Sequence, residues 1–179
     1  SSPPLASQVL AEIVPLAAPL GVTTKFTYKV NPTIVDGTDL GFDSIQIFTP
    51  LAPESVDSLR FIDPMNGLTE LGPGEFTLID YADDNESFTV QLQEGMQFRD
   101  QEVIDVVFQA AVFKVGTVFN GKVFNSQRPG EIRQRVTVGD ADPLFDSSSL
   151  SVIPSDVGGQ VITALRASPL TPNGDDTNE

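Results

Sequence analysis

Oxygen-bearing side chains alternate along the last residues of the chain, where they could bind a hard cation. They are Asn173, Asp175, Thr177 and Glu179, which lie around Gly174. Calcium takes about six to eight oxygen ligands, and loops that alternate carboxylate, amide and hydroxyl groups supply them. The spacing lacks the full length of an EF-hand loop, so the alternative is an ordinary turn in which Asn-Gly-Asp suits the backbone. The sequence therefore predicts either a calcium site or a polar turn here.

Two further loops bring carboxylates close together. Asp140 and Asp142 lie with Asp146 in an acidic loop over 139–149, and the sequence Asp-Asp-Asn-Glu fills 83–86 at the tip of a predicted hairpin. Like charges held this close repel one another, and a bound cation would relieve the repulsion. The alternative is a pair of solvated loops. Asp140 and Asp142 are thus additional candidate metal ligands, and calcium is the one cofactor that the residues suggest.

The chain contains no His and no Cys, which excludes several kinds of chemistry. Ser-His-Asp catalysis, Cys-His catalysis, the usual zinc sites and disulfides all need one of these residues. A carboxylate pair can hydrolyse a glycosidic bond, but a chain with 25 acidic residues contains such pairs by chance. We therefore expect no enzymatic activity.

Sugar-binding sandwiches often present exposed aromatic rings, and this chain has no Trp and two Tyr. Tyr28 lies in the inward register of a predicted strand, which leaves Tyr81 as the candidate ring. The twelve Phe occupy mostly core positions. Core packing is therefore the expected role of the aromatic residues.

The formal charge of −15 arises from 25 acidic and 10 basic residues. Such a surface repels nucleic-acid phosphates and anionic membranes, and no apolar run reaches membrane-spanning length. The one basic cluster is Arg128, Arg133 and Arg135, of which Arg133 and Arg135 are predicted on the solvent face of a strand. We expect neither nucleic-acid binding nor membrane insertion.

The most apolar and most β-prone stretch runs from Glu102 to Ser126. Alternate residues from Ile104 to Val112 are all apolar, whereas the opposite face is mixed, as in a central strand of a packed sheet. Asn120-Gly121 predicts either a two-residue hairpin turn or a bulge within one strand.

Other segments alternate in the same way, with frequent turn signals between them. The predicted strands are 8–14, 22–30, 41–49, 58–62, 75–81, 87–93, 132–138, 150–154 and 161–166. At 8–14 a short helix is the alternative, because Ala and Leu are frequent there. Asn31-Pro32 predicts a turn, and residues 66–74 predict a loop. About nine or ten strands without an amphipathic helix indicate an all-β antiparallel β-sandwich, Ig-like, cohesin-like or jelly-roll in style. Phe26, Tyr28, Val106, Phe108 and Val112 are its predicted core.

The tail from Ser168 to Glu179, SPLTPNGDDTNE, resembles the signature that opens Ig-like C-terminal modules of bacterial secreted proteins. These include gliding-motility-associated, type IX secretion and hook-capping modules. Asp176 stands where that family usually has Gly, and the stretch before Thr171 is shorter. The body is more loosely similar to cohesin modules through 116–119 and 123–126.

The Pro-rich start predicts a linker at 1–7. The resemblance implies a β-sandwich domain at 8–167, followed at 168–179 by the start of an Ig-like module; the alternative for 168–179 is a C-terminal tail. It implies a non-enzymatic structural or adhesion module of a secreted, multidomain bacterial surface protein. The implied partners are neighbouring modules of the same polypeptide and other surface proteins or polysaccharide. The alternative is a carbohydrate- or protein-binding module of cohesin type.

Overall fold

The computed structural model describes residues 3–49, 52–79, 86–128, 130, 132–145 and 147–155, together with the backbone of 172–173 and 177–178. All regular elements in these residues are β-strands. In this part of the chain, no helix is long and apolar enough to cross a membrane. The predicted all-β fold class is confirmed.

The strands follow in the order β1 (Gln8–Val14), β2 (Ala17–Pro19), β3 (Thr24–Thr33), β4 (Ser44–Phe48), β5 (Ser55–Asp63), β6 (Gly67–Leu71), β7 (Thr77–Ile79), β8 (Ser87–Gln91), β9 (Val103–Ala110), β10 (Thr117–Val118), β11 (Gly121–Phe124), β12 (Gln134–Arg135), β13 (Thr137–Val138), β14 (Ser151–Ser155), β15 (Pro172–Asn173) and β16 (Thr177–Asn178). Several are only two or three residues long.

Two large sheets make a β-sandwich. One has the order β13-β1-β3-β9-β5-β6 and the other the order β12-β11-β4-β8-β7. Phe88 of the second sheet contacts Phe108 of the first, with ring centroids 5.2 Å apart. A smaller sheet, β10-β14-β2, lies at one end. Pairing is antiparallel except for β1 with β13 and β14 with β2, which are parallel.

The core is built from the alternating residues that the sequence pattern places on one face of each strand. The five predicted core residues, Phe26, Tyr28, Val106, Phe108 and Val112, are all 0% exposed. In the six-stranded sheet β9 lies between β3 and β5, so the prediction of a central strand in the 102–126 stretch is confirmed.

Asn120-Gly121 forms neither the hairpin turn nor the bulge. β10 pairs with β14 in the small sheet, whereas β11, which begins at Gly121, pairs with β4 in the five-stranded sheet. The chain therefore crosses from one sheet to the other at this dipeptide. The hydrogen bond from Phe48 N to the Asn120 carbonyl, 2.8 Å long, begins the new pairing.

Two predicted breaks are also wrong. β3 continues through Asn31 and Pro32 because β1 extends alongside it, pairing Val9 with Pro32. Residues 67–71, predicted as loop, form β6 against β5. Its side chains are exposed or half-buried and show no alternation, so the usual strand signal is absent.

The predicted strand 132–138 is divided between the two sheets. β12 pairs with β11, and β13 pairs with β1 in parallel. The face opposite Arg133 and Arg135, which was predicted to be buried, is largely exposed. Ile132 is 88% and Val138 is 51% exposed. The side chain of Gln134 instead holds the N-terminal segment: its Oε1 accepts from Leu5 N at 3.0 Å, and its Nε2 donates to the Ala6 carbonyl at 2.8 Å.

Leu5 and Ala6 are themselves buried, 3% and 1% exposed, although they fall in the predicted linker. The backbone of this segment also accepts hydrogen bonds from Leu40 N and Gly41 N. The packed part of the chain therefore begins before Gln8, because Leu5 and Ala6 bury apolar surface that a free linker would leave in water.

Candidate functional site

A polar cleft of about 730 Å³ lies at the edge of the six-stranded sheet. Its walls come from the end of β5, from β6, and from the loops 95–102 and 125–128. The lining side chains are mostly amides, charged groups and aromatic rings: Phe61, Asp63, Asn66, Thr69, Met96, Gln97, Phe98, Arg99, Glu102 and Gln127. The volume lies within the range of about 300–1,000 Å³ found for ligand sites.

The floor of the cleft is aromatic. Phe98 packs against Phe42 with centroids 5.4 Å apart, and against Phe61 edge to face at 6.0 Å. Phe98 is 3% and Phe61 is 9% exposed. These contacts anchor the 95–102 loop to the core, so the polar side chains of that loop are carried on a rigid base.

Asp63 is fixed by the tight turn that joins β5 to β6. Its Oδ1 accepts from Met65 N at 2.7 Å and from Asn66 N at 3.1 Å, which is the geometry of an Asx turn. Gly67, with φ at +81°, closes the turn in a conformation that favours glycine. The backbone hydrogen bond from Met65 is the largest of the effects that lower the pKa of Asp63.

Glu102 lies deeper in the cleft and is 2% exposed. Its Oε1 accepts from Arg99 N at 2.7 Å, which closes the turn before β9. Burial raises the pKa of Glu102, and the charge of Asp63 raises it further. The guanidinium of Arg99 lies 3.4 Å from Asp63 Oδ2, so Arg99 links the two carboxylates through its backbone and its side chain.

The cleft thus combines a carboxylate whose charge is stabilised with one whose charge is opposed by burial. Environments that separate the pKa values of neighbouring carboxyl groups are typical of functional sites. With the amides of Asn66, Gln97 and Gln127, the cleft presents both hydrogen-bond donors and acceptors over an apolar floor. That arrangement suits a ligand rich in hydroxyl groups.

A second cavity, of about 570 Å³, lies at the end of the sandwich near the small sheet. Thr49 and Thr117 line it, and the hydroxyl oxygens of both are buried without a hydrogen-bond partner among the described residues. Beside it lie large apolar side chains that are 47–83% exposed: Leu20, Val22, Phe113, Val115 and Val118. We call these five residues the apolar rim.

The rim is continuous because the 20–22 and 112–118 segments contact one another. Gly21 N donates to the Val112 carbonyl at 2.8 Å. A Cβ built on Gly21 would lie 3.7 Å from the Phe113 ring. Contiguous exposed apolar surface is uncommon on soluble monomers and marks interaction sites.

The outer face of the six-stranded sheet carries a row of alternating charges. Glu12, Lys29, Asp105, Arg60 and Glu70 are paired across five neighbouring strands, in that order. Opposite charges directly across strands stabilise a sheet. The Asp105 carboxylate lies 3.1 Å from both the Lys29 Nζ and an Arg60 nitrogen.

The 139–149 loop covers one end of this row. Lys29 Nζ lies 3.1 Å from Asp142 Oδ2, and the two residues are 4% and 6% exposed. The Glu12 carboxylate accepts from Asp142 N at 2.7 Å and from Ser148 N at 3.1 Å. Side chains of β1 and β3 therefore hold the loop against the sheet.

The structure describes only some of the predicted metal ligands. Asp140 is exposed, whereas Asp142 is buried and paired with Lys29. No group of three or more acidic side chains in the described residues is arranged to hold a metal ion. In the tail, Asn173 pairs with Thr177 between β15 and β16, and Asp175 and Glu179 lie outside the described residues.

The other candidates are placed as follows. Tyr28 is buried as predicted, and Tyr81 and residues 83–85 lie outside the described residues. Arg133 is exposed, as predicted; its guanidinium lies 4.0 Å from the centre of the Phe124 ring and donates to Gln46 Oε1 at 2.7 Å.

The polar cleft was not predicted. Asp63-Pro64 and Asn66-Gly67 gave a turn signal, but such signals report backbone geometry and not what approaches the turn. Glu102 marked only the start of the central stretch. Its proximity to Asp63 comes from the pairing of β5 with β9, which neither local pattern specifies.

No protein-family model and no curated protein sequence matches the chain. Among solved structures it is similar to an uncharacterized protein of immunoglobulin-like fold from Nocardia farcinica, at 17% identity over 81% of this chain and 94% of the other, with a TM-score of 0.43. A DUF4466 family protein from Parabacteroides merdae is 13% identical over 74% of this chain and 44% of its own, with a TM-score of 0.40.

A third similar structure is the second type II cohesin module of the ScaA scaffoldin from Acetivibrio cellulolyticus. It is 14% identical over 73% of this chain and 78% of its own, with a TM-score of 0.32. Similarities at this level establish neither a family nor a function.

Proposed function

We propose that this chain is a non-enzymatic structural or adhesion module of a secreted, multidomain bacterial surface protein, and that the apolar rim is its contact surface. The observation that carries the proposal is the position of the rim beside the last strand of the sandwich. Ser155, at the end of β14, pairs with Pro19, which directly precedes Leu20 of the rim.

The chain continues from Ser155 at this end of the sandwich. A module that follows, such as the one the SPLTPNGDDTNE motif resembles, is the proposed occupant of the rim. Burying large apolar side chains there would stabilise the contact by about 25 cal/mol for each Å² of apolar surface removed from water. Neighbouring modules of the same polypeptide are therefore the proposed partners.

Val115 allows a sharp test because it is 83% exposed in the isolated chain. Val115→Ser should leave the unfolding free energy of the isolated chain within about 0.5 kcal/mol of wild type, as surface substitutions do. In the natural longer polypeptide it should lower the stability of the joined modules. Leu68→Ser, on the exposed β6, is the matched control and should have no such effect in either context.

The second candidate function is carbohydrate binding, which the polar cleft favours. Amide, guanidinium and carboxylate groups of the cleft can exchange hydrogen bonds with the hydroxyls of a sugar. Calorimetric titration with soluble oligosaccharides tests it. Asn66→Ala and Gln127→Ala should weaken any binding, while Glu94→Ala, outside the cleft, should not. If all three variants retain the binding, the sugar binds at a different site.

A further inference from the structure

A buried amine lies between two buried carboxylates under the 139–149 loop. Lys29 Nζ is 3.1 Å from Asp105 Oδ1 and 3.1 Å from Asp142 Oδ2, and all three side chains are less than a tenth exposed. The Phe145 ring covers the amine, with its centroid 4.3 Å from Nζ.

Burial opposes the charged forms of such a group. Removing ions from water is costly, and a buried ion pair can lower the cost by passing a proton from ammonium to carboxylate. Such a transfer would leave an amine that is a nucleophile beside a carboxylic acid that is an electrophile. The two lie on segments that folding holds in contact.

We propose that Lys29 and Asp142 condense to an intramolecular amide bond that ties the 139–149 loop covalently to β3. In the net step, the Lys29 ammonium and the Asp142 carboxylate become one amide and one water molecule. Charge is conserved, because one cation and one anion disappear together. No oxidant, metal or cofactor enters the balance.

The hydrogen bonds distinguish the roles of the two aspartates. Asp142 Oδ1 accepts from Leu144 N at 3.1 Å, so this N–H is placed to stabilise negative charge on Oδ1 when the amine attacks the Asp142 carboxyl carbon. Asp105 lies between Lys29 and Arg60, with carboxylate oxygens 3.1 Å from a nitrogen of each. Asp105 is therefore the proton relay, and Asp142 is the electrophile.

The steps balance as follows. The Lys29 ammonium gives one proton to Asp142 Oδ2, and the amine then forms the C–N bond while Asp105 takes a second proton from the nitrogen. The intermediate carries its negative charge on Oδ1. As the carbonyl re-forms, Oδ2 leaves with its own proton and the proton from Asp105, as water. Asp105 is again a carboxylate.

Proximity removes much of the entropic barrier to the step. Reacting groups held about 3–3.5 Å apart react as though at very high concentration, with effective molarities of about 10⁵–10⁸ M. Glu12 supplies the positioning, because its carboxylate binds the backbone N–H groups of Asp142 and Ser148. Glu12 acts through the loop and does not contact the reacting atoms.

The test is mass spectrometry of the full chain after denaturation. Wild type should be lighter than its sequence mass by one water molecule. Trypsin should release a branched product that joins residues 26–60 to residues 136–166, uncleaved after Lys29. Lys29→Arg, whose guanidinium stays protonated, and Asp105→Asn, which lacks the proton relay, should both have the full sequence mass. Lys25→Arg, a control on the same strand, should keep the loss.

Three results would overturn the proposal. One is a wild-type chain that retains its full sequence mass after prolonged incubation at neutral pH. Another is a loss of water that Lys29→Arg also shows, which would indicate dehydration elsewhere, as at Asp36-Gly37. The third is a branch from Lys29 to residues 100–114, which would make Asp105 the electrophile and contradict the assigned roles.

Discussion

The phenolic hydroxyl of Tyr28 donates a hydrogen bond of 2.9 Å to the backbone carbonyl of Phe119, inside the sandwich. Tyr28 is 0% exposed, and burial raises the pKa of its hydroxyl. The bond lies where the chain crosses from the small sheet to the five-stranded sheet. Gly121 completes the crossing, since a Cβ there would lie 2.5 Å from Tyr28 Oη and 3.2 Å from the Gln46 carbonyl oxygen.

Tyr28→Phe should destabilise the fold by about 1–3 kcal/mol, because it leaves the buried Phe119 carbonyl without its partner. Gly121→Ala should cost about 1–3 kcal/mol through overpacking against the same hydroxyl. Urea unfolding of both single variants and the double variant measures their coupling. The double variant should lose less unfolding free energy than the two single variants together, because removing the hydroxyl relieves the clash. Strict additivity would contradict this contact.

Phe108→Ala should cost about 3–5 kcal/mol of unfolding free energy, as expected for a large ring removed from a packed core. Phe108 is 0% exposed and contacts Phe26 and Phe88 at centroid distances of 5.7 and 5.2 Å. Phe113→Ala is the matched control, since that ring is 58% exposed, and its cost should stay near zero. Similar losses of unfolding free energy for both variants would show that the core has been assigned incorrectly.

Glu102 should make stability depend on pH. Its native pKa is raised above the ordinary value of 4.5 by burial. The stability it contributes is therefore complete below the unfolded-state pKa and is lost as the pH rises through the native one. The side chain of the Glu102→Gln variant cannot ionise. The melting temperature of this variant should therefore rise relative to that of wild type between about pH 4 and pH 7.

Asp63→Asn should show the opposite dependence, because the pKa of Asp63 is lowered in the native state. Its contribution is present above the unfolded-state pKa and is lost as the pH falls through the native one. The Asn variant should therefore be destabilised at neutral pH and approach wild type in acid. Parallel curves for both variants would contradict the opposite environments of the two carboxyl groups.

Calcium binding stays a prediction. A site built from Asn173, Asp175, Thr177 and Glu179, or from the loop of Asp140 and Asp142, should raise the melting temperature in calcium. At a hundredfold excess of calcium over the Kd, the unfolding free energy would rise by about 2.7 kcal/mol. Magnesium at equal ionic strength should do less, because it demands a tighter octahedral shell. Equal shifts with both ions would indicate charge screening alone.

Asp175→Asn and Asp140→Asn distinguish the two calcium candidates. Asp142 is unsuitable for this comparison because its carboxylate contacts Lys29, so its replacement would perturb the loop whether or not calcium binds. The variant that removes the calcium-dependent shift would identify the site.

Period-two alternation identified the core strands well, because one face of each is buried against the other sheet. β3 and β9 show this clearly, and Tyr28 and Phe108 lie where the pattern predicted. The pattern failed where burial does not alternate, as in β6, and where one segment serves two sheets, as at β12 and β13. Local alternation carries no information about which strand a segment will pair with.

The functional groups were harder to predict because long-range contacts decide them. Asp142 stands in an acidic loop, and its sequence neighbourhood indicates a solvated carboxylate. Only the position of Lys29 on the outer face of β3 makes it one end of a buried ion pair. Glu102 and Asp63 share a cleft for a similar reason, through the pairing of β5 with β9.

Amide hydrogen exchange at the apolar rim tests the proposed role of this module most directly. The backbone amides of 113–118 would be followed in the isolated chain and in a longer polypeptide that joins the proposed following module to it, with those of β6 as an internal control. Contact with a neighbouring module predicts slower exchange at 113–118 in the longer polypeptide and no change in β6. Equal exchange of 113–118 in the two contexts would contradict the proposal that the rim is a contact surface.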